Sequence, residues 1–305
     1  MRVILKNISL ISFGILLGVY FQISIVEKVF GKNIFNKSLL SPLPLTTDIL
    51  PTPNSVLGAK TTFEASIFSQ PTPTIFDIPP ITPIQRVFKK KTYTISLVGD
   101  SMFETCGMGC PYLGTALDRL IPEVRFSILN NSVGGTDIIS GFTRLTNSYE
   151  YQGLQQKPVL VQDPDVVIIE SFAYNHWTKE QADIDKYWLT LAHIVDTLKL
   201  QKKKILFLAT IAPNSAVYAK TAPGITWSEV DRWEQAKLVR LYLDTFIGFA
   251  KSQNIPVIDV YHESLDTTGE GDLSYIDKAS YIHPSINGFR LISDRLAFGI
   301  LGILD

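Results

Sequence analysis

Cysteine is almost absent from this chain: 305 residues contain two, at positions 106 and 110. Two thiols with no further cysteine and no close histidine pair complete no zinc pattern, so no structural metal is expected. A surplus of either charge is also missing, since 28 basic residues face 29 acidic ones for a net charge of -1. That balance gives no electrostatic footprint for nucleic acid. No Gly-x-Gly-x-x-Gly turn follows the first strand-like run, which excludes a dinucleotide fingerprint. No Gly-x-Ser-x-Gly occurs, which disfavours the nucleophile elbow of α/β-hydrolases. No cofactor is expected, and no internal repeat is evident.

What is present divides the chain into three parts. Between Lys6 and Glu27 lie about twenty uncharged residues, long enough to span a bilayer as a helix. Arg2 and Lys6 would also suit a cleaved signal peptide, but bulky Tyr20, Phe21 and Ile23 stand where a small-residue cleavage site would be. Residues 1–27 are therefore read as a retained signal-anchor. Residues 28–91 are read as a linker, because their Pro, Thr and Ser content favours extended polyproline-like states over helix or strand. Such a spacer suits a domain held off a surface, so residues 92–305 are expected outside the membrane.

Within 92–305, apolar β-branched runs alternate with amphipathic stretches. Strands are expected at 93–98, 124–129, 165–170, 205–210 and 256–260, and helices near 112–121, 138–147, 179–200, 228–252 and 285–301. Continuous apolar strands imply burial on both faces, as in a parallel sheet. The alternation predicts a three-layer α/β/α, doubly wound, five-stranded parallel sheet. In the long helix, Trp233, Ala236, Leu238, Leu241, Leu243, Phe246 and Phe249 are read as core positions. The 212–227 stretch is a long loop, a candidate rim or lid.

Ligands of such sheets bind beyond the carboxyl ends of the strands, which makes polar residues there the suspects. Four sets qualify: Gly99-Asp100-Ser101; Asn130-x-Ser132-x-x-Gly135; Asn175 after the third strand; and His283-Pro284 with Gly288. A serine at a strand-to-helix junction, a histidine and convergent N–H donors are the parts of an acyl-transfer site.

Together and in order, these sets resemble four sequence blocks of the SGNH/GDSL hydrolase superfamily. The resemblance implies a flavodoxin-like SGNH fold and esterase, lipase or acetylesterase activity. It implies Ser101 as nucleophile, His283 as general base, and the Ser101 and Gly135 N–H groups with the Asn175 amide as oxyanion donors. Two departures stand out. The family's aspartate three residues before the histidine is Ser280 here; Asp277 is the substitute as third catalytic member if the loop folds to suit, and otherwise Ser280 or a backbone carbonyl would hold the ring. The third block lacks its glycine and its following aspartate. His193 and His262 are read as structural, and His176 as solvent-facing or capping, with a second polar group in the pocket as its alternative role. In an oxidising compartment Cys106 and Cys110 would close a small disulfide loop beside Ser101. Three functions fit: an esterase for short O-acyl groups on surface carbohydrate, an acyltransferase with the same residues, and a weak carbohydrate-binding module.

Overall fold

The computed structural model describes residues 87–304; the expected membrane segment and nearly all of the linker lie outside them. Among the described residues, no helix is long and apolar enough to cross a membrane.

The domain is a five-stranded, wholly parallel sheet with helices on both faces. Its strands are β1 (Thr92–Val98), β2 (Arg125–Asn130), β5 (Val166–Glu170), β6 (Lys204–Ala209) and β7 (Val257–Asp259), in spatial order β2-β1-β5-β6-β7. All five residues of β5 are buried, as expected of a strand covered on both sides. Its side chains alternate between two cores. Val167 and Ile169 face one, packed with α4 (Gln181–Leu200) and α5 (Glu229–Ser252). Val166 and Ile168 face the other, with α2 (Pro111–Leu120) and α7 (Ile286–Ile303).

Three shorter helices complete the set: α1 (Ser101–Glu104), α3 (Ile138–Thr146) and α6 (Val260–Glu263). From β1 the chain passes outward to β2, then returns across β1 to β5. That reversal opens a crevice between β1 and β5, where doubly wound sheets bind ligands. The Gly-Asp-Ser segment leaves β1 at this crevice, and the Asn175 segment leaves β5 at it.

Three expectations need correction. The buried stripe of α5 is Ala236, Val239, Tyr242, Leu243, Phe246, Ile247, Phe249 and Ala250, so Ala236, Leu243, Phe246 and Phe249 are core as expected, whereas Trp233 is 47% and Leu241 38% exposed. The 3.6-residue period is present, but its phase runs through Val239 rather than Trp233. The 212–227 loop is no free lid. Asn214 Nδ2 donates to the Gly271 carbonyl at 2.9 Å, the Ala219 N–H to the Tyr281 carbonyl, and Thr221 Oγ1 to the Lys278 carbonyl. A hairpin of β3 (Tyr149–Tyr151) and β4 (Leu154–Gln156) adds an element that three-residue strands without apolar alternation do not announce. Gln152 and Gly153 both adopt positive φ at its turn, the geometry that matches strand twist in a two-residue hairpin.

Candidate active site

The nucleophile candidate sits at a sharply constrained junction. Asp100 caps α1, its Oδ1 accepting the Met102 N–H at 2.8 Å, so Ser101 is the first helical residue. Gly99 must be small: a Cβ there would lie 2.8 Å from the Glu170 Cβ. Ser101 is half-buried, and a Cβ on Gly134 would come within 3.3 Å of its own Cβ. The loop after β2 therefore presses directly on the serine.

That loop is pinned from below. Asn130 Nδ2 donates to the carbonyls of Phe103 and Gly107, and its Oδ1 accepts the Ser132 N–H. Gly135 follows with φ +69° and open space on its Cβ side. Only glycine takes that conformation cheaply, and the result is a bare backbone edge beside the serine.

Asn175 ends a 3-10 turn after β5, and its Nδ2 donates to Asp100 Oδ2 at 2.7 Å. The amide is thereby fixed to the residue preceding Ser101, with its second N–H still to give. Gly135, Asn175 and His176 line a common cleft of about 400 Å³. His176 thus turns inward: it is half-buried, burial holds its pKa below the ordinary 6.5, and its Nδ1 lies 2.7 Å from the Trp177 carbonyl.

Beneath the serine lies a charge cluster that sequence reasoning missed. Asp100, Glu170 and Arg144 are all buried. Arg144 donates to the Gly99 carbonyl at 2.8 Å and to Thr136 Oγ1 at 3.1 Å, with its guanidinium over the Phe172 and Tyr149 rings. Glu170 accepts the Ser171 hydroxyl at 2.6 Å and the Phe172 N–H at 2.9 Å. Burial raises both carboxyls, Glu170 well above its ordinary 4.5, and the charge on Asp100 raises Glu170 further. Burial thus favours the neutral form of both carboxyls, most strongly at Glu170, while the charge of Arg144 works against it at Asp100. One polar residue closing an all-apolar strand was the available signal for Glu170. Arg144 gave none, because an arginine on an amphipathic helix reads as surface.

The histidine side is built differently. His283 Nδ1 faces Ser280 Oγ at 3.2 Å, and that oxygen also receives the Ile282 and His283 N–H groups. No hydrogen bond joins the Asp277 side chain to the ring; Asp277 instead ties the loop through its backbone, its N–H donating to the His283 carbonyl at 2.8 Å. The pKa of His283 is lowered, chiefly by burial, and is partly restored by the charges of Asp277 and of Glu104. Glu104 ends α1, so the ring lies within electrostatic reach of the nucleophile's helix. Of the two remaining histidines, His193 stacks on Phe142 and His262 pairs with Asp259 at 2.8 Å on the surface.

Cys106 and Cys110 are joined in a disulfide just beyond α1. Among the described residues, no group of three or more His, Cys, Asp or Glu side chains is arranged to hold a metal ion.

Neither a family model nor a curated protein matches this sequence. Solved structures do resemble the fold. A lipase/acylhydrolase from Enterococcus faecalis is 21% identical, with 70% of this chain and 97% of that one covered at a TM-score of 0.50. The acetyl xylan esterase AlAXEase is 16% identical over 68% of this chain and 99% of that one, at 0.49. A GDSL-like lipase from Bacteroides thetaiotaomicron is 14% identical over 70% and 88%, at 0.48. The domain therefore shares the α/β fold of the Enterococcus faecalis lipase/acylhydrolase, at an identity that establishes fold alone.

Proposed function

We propose that the domain is a serine esterase that removes short O-acyl groups from carbohydrate. The observation that carries the reading is the convergence at Ser101. Asp100 caps its helix, Asn175 is locked to Asp100, and the Gly134-Gly135 backbone lies against it. A serine with a bare glycine backbone and a fixed amide on one side is a nucleophile beside an oxyanion site.

In this mechanism His283 Nε2 takes the Ser101 hydroxyl proton as Oγ attacks the ester carbonyl carbon. The oxyanion is received by the Ser101 and Gly135 N–H groups and by the second N–H of Asn175. Collapse breaks the C–O bond to the sugar, whose oxygen leaves with the proton from His283. Water then attacks the acyl-enzyme, giving its proton to His283, and Ser101 is released with the acid. Ser280 and Asp277 are positioning residues, the first through Nδ1 and the second through charge. A neutral Ser280 is the one observation favouring a slower catalyst or a binding module, since the imidazolium has no carboxylate directly against it.

The domain is further proposed to work outside a membrane, tethered by residues 1–27; the disulfide supports an oxidising setting. The test of the activity is hydrolysis of p-nitrophenyl esters from acetate to octanoate, run beside Ser101→Ala. Serine-dependent turnover that falls with chain length is expected. Equal rates in both proteins would overturn the assignment.

A further inference from the structure

A second cleft lies away from the one beside Gly135 and Asn175. It measures about 750 Å³ and opens on the other side of the nucleophile's loop, between the Cys106–Cys110 disulfide loop and the β3–β4 hairpin. Glu104, one turn after Ser101, and Ser132, three residues before Gly135, lie on its wall. The 132–135 loop thus runs from one cleft to the other and touches Ser101 on the way.

The chemistry of this cleft is unusual for a site meant for a fatty chain. Beside Met108, Ile128 and Leu129, its lining carries many amides and phenols, notably Gln155, Gln156, Gln162, Asn131, Tyr149 and Tyr151. The floor is a closed network. Asn131 Oδ1 accepts from the Tyr149 hydroxyl and from Gln162 Nε2, both at 2.9 Å, and Asn131 Nδ2 donates to Ser96 Oγ and Gln162 Oε1. Such a network holds its members rigid. The rim is the opposite: among the described residues, the side-chain amides of Gln155 and Gln156 have no partner. Ser132, only 3% exposed, also has a hydroxyl with no partner among them. Tyr151 offers a ring whose hydroxyl is already committed, held by Glu104, which pushes its pKa up to about 12, and receiving Gln152 Nε2.

Charge narrows the ligand further. One lysine, Lys157, and one carboxylate, Glu104, line the cleft, so it selects neither anions nor cations. Planar amides that donate and accept side by side match vicinal hydroxyls, and an aromatic face stacks on the apolar face of a sugar ring. An acyl chain laid here would strip water from amides without replacing its hydrogen bonds.

We infer that the cleft between the disulfide loop and the β3–β4 hairpin is a binding site for a neutral oligosaccharide. It would position the sugar backbone while the ester reaches Ser101. The role as a substrate subsite rests on the esterase reading, but the binding itself does not. Calorimetric titration of the full-length chain with unacylated xylotetraose, cellotetraose, mannotetraose and chitotetraose tests it. At least one tetrasaccharide should bind. Tyr151→Ala and the pair Gln155→Ala with Gln156→Ala should each weaken it about tenfold, the loss of one stacking face or two hydrogen bonds. Melting temperatures of these surface variants serve as the control for folding. Binding of no tetrasaccharide, or binding indifferent to both variants, overturns the inference. Ser101-dependent turnover of p-nitrophenyl acetate separates the two claims. Turnover without saccharide binding removes the cleft and leaves the esterase, whereas binding without turnover does the reverse.

Discussion

The two halves of the proposed catalytic centre are held by opposite means. On the nucleophile side, Asp100, Glu170 and Arg144 are buried together and tied to the backbone of α1 and of the turns that follow β5 and β1. On the base side, His283 rests against a neutral hydroxyl at the top of a loop, with carboxylates acting only through distance. Buried charge costs desolvation and is retained where geometry must not vary. The contrast assigns precision to the serine and its oxyanion donors, and latitude to the histidine.

The sharpest way to break the nucleophile side is Ser101→Ala, which should lower kcat by about 10⁴-fold or more with the fold intact. His283→Ala should follow, at about 10³–10⁴-fold. Arg144→Met should act on stability instead. It removes the guanidinium's bonds to the Gly99 carbonyl and Thr136 Oγ1 and should cost about 1–3 kcal/mol in denaturant unfolding.

Glu170→Gln tests the shared proton. The folded pKa of Glu170 is raised above 4.5, so the folded state keeps a proton that the unfolded chain releases. Its contribution to stability is present below pH 4.5 and declines as pH rises toward the raised value. The glutamine variant should flatten that decline in pH-dependent melting, and an unchanged slope would place the proton elsewhere.

On the base side the expected effects are smaller. The acid limb of kcat/KM should inflect below pH 6.5, because burial outweighs the charges of Asp277 and Glu104. Asp277→Asn removes a charge that raises the ring's pKa, so the inflection should move lower still while kcat falls less than about tenfold. Ser280→Asp should move the inflection upward and raise kcat/KM. A loss of about 10³-fold or more in Asp277→Asn would instead make that carboxylate the direct partner of the ring.

Much of the sheet was legible because burial on both faces writes itself as unbroken apolar runs, as in the Val166–Glu170 strand. The candidate residues Ser101, Gly135 and Asn175 were picked out for the same reason, as polar residues or glycines just past such runs, whereas His283 lies well beyond β7 and just before the last helix. What escaped depends on three-dimensional partners. Arg144 is a core residue only because Gly99, Thr136 and two aromatic rings meet it. The hairpin that walls the larger cleft carries no hydrophobic alternation. Sequence left Asp277 and Ser280 both open as partners of the ring, and only the turn's geometry brings Ser280 against it.

The most direct test of the account is to treat the full-length chain with a fluorophosphonate and map the adduct by peptide mass spectrometry. The account predicts one phosphonyl group, on Ser101, lost in His283→Ala. An unlabelled Ser101, or a label on another serine, would contradict it.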